Sequence, residues 1–466
     1  MPLRALRTPI DRGALALVGF ALAVAAFLAF APALFNDGDT SWHLGAGRLI
    51  LATGSVPEGD PFSFTFAGRP WIAHEWLAEV MMAAAFTAAS WGGLAVLTAG
   101  AVGGLLVLLG LELRRWLAVP RVIVALTLVA AMLAPFTLAR PHIFAWPLLA
   151  GWTIVLLRAR EAGRAPPLLA APLMIVWANL HASFIVGLVL VGVFALEALV
   201  QAADRRGAFF GWAGFGLASL ALSLLTPHGV HGLLYPLQVS GMKALPLIME
   251  WRRTEPGQDW LFLAIVAGTG LLALVRRPRL SVVRIVLLAA ILYLAIAHVR
   301  HQPLVAILGV LLLAGPLSGA SPQPVRSARL AVAMFALGLA LIAAVRLPLA
   351  IPRQDSASNP ITAIAHIPSE LRGRPVLNAY GFGGPLILAG IRPFIDGRGD
   401  MYGDAFLFEH QRIIQGDAQA LTRAVRRWGI RWTILEPENP LVALLDRTPG
   451  WHRVYADRWA IVHARD

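Results

Sequence analysis

The chain has 466 residues, of which 58% are hydrophobic and 14% charged, and its mean hydropathy is +0.69. A soluble protein of this length needs more charged surface, so the composition excludes an ordinary soluble domain and indicates a membrane protein. The chain has no cysteine, which excludes disulfides and cysteine-based metal sites or nucleophiles.

The net charge of +13 raises the question of nucleic-acid binding. No basic stretch is interleaved with aromatic residues on a soluble face, so the sequence predicts no nucleic-acid partner. Arginines in cytoplasmic loops and contacts with anionic membrane lipids explain the charge more simply.

The amino terminus carries Arg4, Arg7 and Arg12 ahead of an apolar run over residues 14–35. This run has about 22 residues, which is longer than the core of a signal peptide and long enough to cross the hydrocarbon. No small-residue cleavage site follows it. The run is therefore predicted to be an uncleaved first transmembrane helix.

Ten further apolar stretches are predicted to cross the membrane, some of them short or tilted. They are residues 94–113, 122–138, 143–157, 167–178, 184–200, 209–225, 260–275, 282–297, 303–317 and 330–345. Residues 76–89 are also apolar but short, and they include Glu79. When this stretch is left on the membrane surface, the arginine clusters all fall on the side of the amino terminus, as the positive-inside rule requires. These clusters are Arg114/Arg115/Arg121, Arg158/Arg160/Arg164, Arg205/Arg206, Arg276/Arg277/Arg279 and Arg326/Arg329.

This topology has about eleven spans, a cytoplasmic amino terminus and an outer carboxyl terminus. This topology places on the outer face the polar residues whose positions are hardest to explain by solvation in a loop. They are Asp37, Asp39, His43, His74, Glu75, Arg140, His142, Asn179, His181, His228, Glu250, Arg252, His298, Arg300 and His301. Ionisable groups close to the hydrocarbon are costly and usually line a cavity, so the outer face is predicted to hold a site.

The first outer loop begins directly after the first span. Asp39 or Thr40 is predicted to cap a helix that Gly54 ends, and this helix places Asp39 and His43 one turn apart on one face. Such a pair can bind a cation, or it can set a carboxylate base beside a proton carrier. The alternative is that Asp39 only caps the helix and His43 only lies at the interface. In the same way, His74–Glu75 is either part of the site or the start of a surface helix.

Asp39, Trp42, His43 and Leu44 follow the first span in the pattern Asp-x-x-Trp-His-Leu. This resembles the GT-C superfamily of lipid-linked-sugar glycosyltransferases, which includes the oligosaccharyltransferases and the polyprenyl-phosphate-mannose protein mannosyltransferases. The resemblance implies an all-α polytopic membrane domain and a catalytic carboxylate in the first loop, which is Asp39 or else Asp37, assisted by His43. That carboxylate acts as the base on the acceptor or orients it with a metal.

The sequence also departs from the pattern of that superfamily. We find no second Asp-x-Asp in a later outer loop and no oligosaccharyltransferase acceptor motif in the carboxyl-terminal part. The resemblance therefore does not extend to glycosylation of protein asparagine or to an obligatory metal. If a divalent metal such as Mg or Mn is present, Asp39 and His43 are its expected ligands.

A departing polyprenyl phosphate needs cations or hydrogen-bond donors near it. Arginine is favoured for this because it stays charged and grips phosphate at two points. The candidates are Arg300, Arg140 and Arg252, with His142, His181 and His301. For each one singly, the alternative is an interfacial side chain that reaches up to water. Glu197, near the arginine-rich side, is given a structural role.

From about Pro352 the composition becomes that of a soluble domain. Strands are predicted at 375–380, 392–396 and 431–435, helices at 405–428 and 440–446, and a closing hairpin at 451–455 and 459–463. This alternation predicts a small α/β layer. Asp396, Arg398 and Asp400 belong to a glycine-rich stretch whose acids bind a sugar, an acceptor or a cation, or else only form a tight turn.

The sequence therefore predicts a transmembrane domain over residues 1–350, with the first outer loop at 36–93, and a periplasmic α/β domain over 351–466. The leading hypothesis is an inverting glycosyltransferase of the bacterial inner membrane that uses a polyprenyl-phosphate-linked donor. His74 and Glu75 join Asp396, Arg398 and Asp400 as candidates for contacting the sugar or a glycan, lipid or protein acceptor. The alternatives are a transporter or flippase of a lipid-linked or anionic substrate, and a silent assembly partner in envelope-glycan synthesis.

Overall fold

The structure is a computed structural model that describes residues 11–325, 328–351 and 353–466. The predicted positions that fall on Arg4, Arg7, Arg326 and Pro352 lie outside these ranges. Two parts follow one another along the chain: an apolar helical bundle up to about residue 346, and a small domain of helices and one sheet after it. Each part has its own hydrophobic core.

The helical bundle contains thirteen α-helices in the described residues. In chain order they are α1 (Arg12–Ala29), α2 (Asp39–Thr53), α3 (Trp76–Leu113), α4 (Val119–Leu133), α5 (His142–Glu161), α6 (Leu173–Leu180), α7 (Phe184–Gln201), α8 (Arg205–Ser223), α9 (Gly229–Ser240), α10 (Trp260–Arg276), α11 (Val282–Ala297), α12 (Gln302–Ser318) and α13 (Ala328–Arg346). Short 3-10 turns link several of them, among them Pro32–Phe35, Met249–Trp251 and Val299–His301. Every apolar stretch predicted to span the membrane contains a helix.

Seven of the described helices are long and apolar enough to cross a membrane: Arg12–Ala29, Trp76–Leu113, Val119–Phe136, His142–Glu161, Phe184–Gln201, Val299–Ser318 and Ala328–Arg346. Three shorter apolar helices, Leu168–Leu180, Trp260–Arg276 and Val282–Ala297, bring the total to ten. The predicted span at 209–225 forms α8, but glycine and serine residues dilute its apolar character. The chain is a multi-pass membrane protein, and the count of eleven spans is not confirmed.

Residues 76–89, which the arginine pattern left on the membrane surface, form the first part of α3, and a kink sets them apart from the span predicted at 94–113. The backbone of α3 is non-helical at Ala89 and Ser90, and this kink separates the first part from the apolar part that follows. The first part packs on α2 so closely that a methyl group at Gly47 would overlap the carbonyl of Glu79. This contact places the beginning of α3 beside the predicted site.

Ion pairs join the helix ends on the side opposite the predicted site. Arg114 at the end of α3 pairs with Asp11 before α1, at 2.5 Å. Glu197 of α7 is 2% exposed and lies 3.3 Å from Arg160 and 2.8 Å from Arg284. The structural role predicted for Glu197 agrees with this position between α5, α7 and α11.

The carboxyl-terminal domain is built on a four-stranded sheet of order β1-β2-β4-β3. Its elements are α14 (Ile361–Ala365), α15 (Ser369–Arg372), β1 (Val376–Asn378), α16 (Gly383–Leu388), α17 (Gly399–Ile414), α18 (Ala418–Trp428), β2 (Trp432–Leu435), α19 (Pro440–Leu445), β3 (Trp451–Ala456) and β4 (Ile461–Arg465). β1 and β2 are parallel, and the β3–β4 hairpin adds antiparallel strands beside β2. The predicted α/β layer is present.

Two predictions for this domain were wrong in detail. Residues 392–396 form no strand, because the Asn378 side chain takes the place of a partner strand and bonds the backbone of Phe394 and Ile395, each at 2.8 Å. The helix predicted at 405–428 is two helices, α17 and α18. Gly416 breaks it with a φ of 84°, and Asp417 caps the new helix by accepting from the Ala420 amide.

Candidate functional site

Asp37 and Asp39 lie where the chain leaves α1 and enters α2. The Asp37 carboxylate accepts hydrogen bonds from the backbone amides of Asp39 and Thr40, each at 3.3 Å. Asp37 therefore satisfies the free amides at the start of α2, and the prediction that Asp39 or Thr40 caps this helix was wrong. Asp39 is consequently free to turn its side chain toward the bundle.

Arg140 joins three carboxylates at this point. Its guanidinium donates to Asp37 and to Glu250, and its Nη2 atom lies 2.8 Å from Asp39 Oδ2. Glu250 belongs to the 3-10 turn Met249–Trp251, which precedes α10. Residues more than one hundred positions apart in the chain are thus held by one cation.

Asp39 is largely enclosed but keeps an opening to solvent, with 21% of its side chain exposed. Burial raises the pKa of Asp39 to about 7, although Arg140 acts in the opposite direction and Asp37 adds to the rise. A carboxyl group with such a pKa exchanges protons near neutral pH, as a general base must.

A second carboxyl group, Glu75, lies among imidazoles. It is 3.4 Å from His181, 3.7 Å from His74 and 3.9 Å from His43, measured between carboxylate oxygens and Nε2 atoms. Burial raises the pKa of Glu75 to about 8, with Arg300 opposing, and lowers the pKa of His74 to about 4. At neutral pH this cluster holds a protonated carboxyl beside neutral imidazoles.

His43 does not pair with Asp39. Its Nδ1 atom is hydrogen-bonded to Glu79 of α3 at 3.1 Å, and its ring stacks on Trp42. The predicted Asp39–His43 pair was wrong because α3 packs on α2 and supplies Glu79, while Arg140 occupies the other side of Asp39. Spacing along one helix does not reveal such neighbours.

The residues do not fit the metal ion considered at the sequence level. Arg140 already places its positive charge between the carboxylates of Asp37, Asp39 and Glu250. Within residues 11–325, 328–351 and 353–466, no group of three or more His, Asp or Glu side chains is arranged to hold a metal.

Arg300 lies close enough to the Glu75 cluster to act on the Glu75 carboxyl group. Its guanidinium stacks over the Trp251 ring at 4.4 Å from the ring centre. Partial burial of Glu250 raises its pKa, yet Arg140 and Arg300 outweigh this and lower the pKa to about 2. Both arginines thus act on the same carboxylate, which places Arg300 within electrostatic reach of the Asp39 site.

Three other predicted phosphate ligands have protein partners. Arg252 is bonded to both oxygens of Asp259, at 2.7 and 2.9 Å, and so is turned away. His301 is bonded to the Leu294 carbonyl at 3.3 Å, and His142 to the Phe136 carbonyl at 2.8 Å. The His142 ring still lies 6.4 Å from the His181 ring, so it borders the Glu75 cluster.

The carboxyl-terminal domain supplies Asp396, Arg398 and Asp400. Asp396 and Arg398 are 0% and 1% exposed and bond to each other, so neither has a free surface for a sugar. Asp400 accepts a hydrogen bond from the hydroxyl of Tyr235 in α9. Burial raises the pKa of Asp400, and this carboxyl group also acts on Glu75.

Sequence reasoning left out Glu250, Tyr235, Tyr380 and Glu79 as site residues. Glu250 stood among the polar residues of the outer turns, and its neighbour Trp251 was the available signal. Tyr235 and Glu79 lie in apolar helices, and Tyr380 lies in a glycine-rich turn. Only tertiary packing brings these residues to Asp39 and Glu75.

Neither the protein-family profiles nor the curated protein sequences give a match to this chain. The structure is similar to that of the archaeal oligosaccharyltransferase AglB from Archaeoglobus fulgidus in complex with an inhibitory peptide and a dolichol-phosphate. The TM-score is 0.55 at 12% identity, over 97% of this chain and 74% of that chain. It is also similar to ArnT from Cupriavidus metallidurans in the apo state, with a TM-score of 0.52 at 16% identity, over 96% and 97% of the two chains. The chain therefore shares the fold of AglB and ArnT, which agrees with the fold that its Asp-x-x-Trp-His-Leu pattern implied.

Proposed function

We propose that this protein transfers a sugar from a polyprenyl-phosphate carrier to an acceptor hydroxyl at the face that holds Asp39. The observation that supports this most directly is the partly open Asp39 carboxylate, fixed by Arg140 and within reach of the field of Arg300. A base and an uncommitted cation in one site are what transfer from a phosphate carrier requires. The fold shared with AglB and ArnT supports the same reaction class.

In the proposed reaction Asp39 accepts the proton of the acceptor hydroxyl. The acceptor oxygen then forms a bond to the anomeric carbon of the sugar on the side opposite the phosphate. The bond between the anomeric carbon and the phosphate oxygen breaks, and its electron pair leaves with the phosphate. One bond forms and one breaks on opposite faces, so the configuration at the anomeric carbon inverts.

Arg300 is the favoured ligand of the departing phosphate. Arg140 is engaged by three carboxylates and Arg252 by Asp259. Among the described residues, no carboxylate lies within salt-bridge distance of Arg300. Its charge therefore remains available, and the Trp251 ring holds the guanidinium in place without consuming its hydrogen bonds.

The proposal also includes the membrane in which the protein lies and the side of that membrane on which the Asp39 site is found. The ion pairs of Arg114, Arg160 and Arg284 lie at the opposite end from Asp39, and arginine-rich ends face the cytoplasm. We accordingly assign the bundle to the bacterial inner membrane, with the Asp39 site and the domain at 353–466 on the periplasmic side. The acceptor is a glycan, a lipid or a protein hydroxyl, and no nucleic acid is involved.

The test uses membranes of cells that express the chain, supplied with radiolabelled polyprenyl-phosphate sugars. We expect label to pass from the carrier into a product in the wild type and not in Asp39→Asn. Asp204→Asn, at the exposed start of α8, is the matched control and should retain activity. If Asp39→Asn transfers label as well as the wild type, Asp39 is not the base. Carrier that crosses reconstituted vesicles without any covalent product would instead establish the transporter alternative.

A further inference from the structure

The loop over residues 394–400 of the carboxyl-terminal domain lies directly against Asp39. Gly397 faces the carboxylate so closely that an added methyl group would overlap Oδ1 and Cγ of Asp39. The same methyl group would lie 2.8 Å from Nε1 of Trp42. A side chain at this position would therefore have to displace the Asp39 carboxylate, for reasons of space rather than of backbone conformation.

Hydrogen bonds fix this loop on both sides of Gly397. The Asp396 carboxylate accepts from the Arg398 amide at 3.0 Å, from the Arg398 guanidinium at 2.8 and 2.7 Å, and from the Tyr402 hydroxyl at 2.8 Å. Arg398 also pairs with Asp60 of the first outer loop, at 2.8 Å. All of these charges are buried, so they are costly to separate and they hold the loop in one arrangement.

Gly397 itself is held by Tyr380. The Tyr380 hydroxyl donates to the Gly397 carbonyl at 3.0 Å. A methyl group on Gly399 would lie 2.8 Å from that same hydroxyl oxygen, so a second glycine leaves room for it. These contacts therefore fix the position of the Gly397 backbone relative to the Asp39 carboxylate.

The carboxyl-terminal domain also packs on the turn that carries Asp39 through a second contact, which is made by backbone atoms. A methyl group on Gly38 would overlap the Gly381 carbonyl, and one on Gly384 would overlap the Gly38 carbonyl. Backbone thus packs on backbone between the glycine-rich turn after β1 and the turn at 37–39. Side chains at these glycines would push the two parts of the protein apart.

We propose that Gly397 is a positioning residue, through which the carboxyl-terminal domain sets the orientation of the Asp39 carboxylate toward Arg140 and the acceptor. The inference rests on the proposed role of Asp39 as the base. It assigns a function to the Asp396–Gly397–Arg398–Gly399–Asp400 sequence, in which Asp396 and Arg398 are too deeply buried to contact a ligand. In this view the domain forms one wall of the site.

The main variant is Gly397→Ala, compared with Gly373→Ala in the same domain, where an added methyl group meets open space. We expect Gly397→Ala to lower kcat by about 100-fold, the effect of moving a catalytic group by about 1 Å, with little change in KM for the donor. Gly373→Ala should keep the wild-type kcat. Melting temperatures of all variants show whether the fold is intact. A wild-type kcat in Gly397→Ala would overturn the inference.

A double-mutant cycle separates positioning from a general structural effect. In an Asp39→Ala background the carboxylate that the methyl group would displace is gone, so adding Gly397→Ala should not reduce the residual activity further. Tyr380→Phe, which only removes the hydroxyl that holds the Gly397 carbonyl, should lower kcat in the wild type and not in Asp39→Ala. Equal losses in both backgrounds would overturn the inference. If Asp39→Asn is fully active, the proposed base fails first, and that result is distinguishable from a failure of Gly397 alone.

Discussion

Arg140 donates two parallel hydrogen bonds to the Asp37 carboxylate, one from Nε to Oδ2 and one from Nη2 to Oδ1. A guanidinium that is held in this way has a fixed plane, and its remaining donors point in fixed directions. They reach Asp39 and Glu250. Asp37 is therefore best understood as the residue that orients Arg140, and Arg140 as the residue that holds the proposed base.

The first prediction concerns this fixed plane. Arg140→Lys keeps the charge but cannot form the paired hydrogen bonds, so kcat should fall about tenfold or more, as expected for losing a charged hydrogen bond of about 1.5–3 kcal/mol. Arg252→Lys removes the same paired geometry at Asp259, outside the site, and should leave kcat unchanged. Steady-state transfer assays that measure kcat for both variants test this prediction. Equal losses would show that Arg140 has no special role.

How far the sequence predicts this site can be seen at Asp39 and Arg140. The pattern after the first span identifies Asp39, and the positive-inside rule brings both residues to one face. The ion pair between them cannot be read from spacing, because 101 positions separate residues 39 and 140 in the chain and several helix packings intervene. For the same reason the predicted partner of Asp39 was His43, which Glu79 binds instead.

For the fold as well, some elements can be predicted from the sequence and others cannot. Helices follow from long apolar stretches, since these have few other ways to satisfy their backbone in lipid. Residues 392–396 were predicted to be a strand, but Phe394 and Ile395 in this stretch are buried by the core of the domain rather than by strand pairing. The bonds from Asn378 that replace a partner strand depend on tertiary structure.

The second prediction is the pH dependence of transfer. Because burial raises the pKa of Asp39 to about 7, the base is protonated and inactive below that pH. kcat/KM should therefore rise as the pH is raised through about 7 and then level off. Glu75→Gln should keep this rise if it belongs to Asp39. A profile that is flat across pH 7, or a rise that disappears in Glu75→Gln, would contradict the assignment.

The third prediction is a loss of stability, caused by Glu75, as the pH rises toward its raised pKa of about 8. Its folded-state pKa of about 8 lies above the ordinary value of 4.5, so the folded state holds a proton that the unfolded state releases. Stability should then fall with rising pH from about 4.5 to 8, by at most about 1.4 kcal/mol per pH unit, and level off above pH 8; the part of this fall between pH 7 and 8 is the one to measure. The neighbouring His74 has a lowered pKa and no longer titrates in this window. Melting temperatures should fall in the wild type and stay level in Glu75→Gln; parallel falls would exclude Glu75 as the cause.

The fourth prediction separates the arginines proposed for phosphate. Arg300→Ala should weaken the binding of polyprenyl phosphate by about tenfold or more, because a charge-assisted hydrogen bond contributes about 1.5–3 kcal/mol. Arg252→Ala should leave this affinity unchanged, since Asp259 already engages that side chain. Binding of the lipid phosphate to purified protein measures both. If Arg252→Ala weakens binding and Arg300→Ala does not, the phosphate lies on the other side of Trp251.

The fifth prediction concerns the opposite end of the bundle. Glu197 is buried against the partly buried Arg160 and Arg284 and the Ser281 hydroxyl, so Glu197→Gln leaves both arginines without their anion and should lower the unfolding free energy by about 3 kcal/mol, the lower end for a buried ion pair. Glu161→Gln, at a more exposed ion pair, should cost less than about 1 kcal/mol. Sugar transfer per folded molecule should be unchanged in both, because the chemistry takes place at the Asp39 end. The prediction would be contradicted by a Glu197→Gln protein that keeps the wild-type melting temperature but has no activity. Such a result would mean that a step of the protein's function takes place at the arginine-rich end. Transport across the membrane requires such a step, whereas sugar transfer at one face does not.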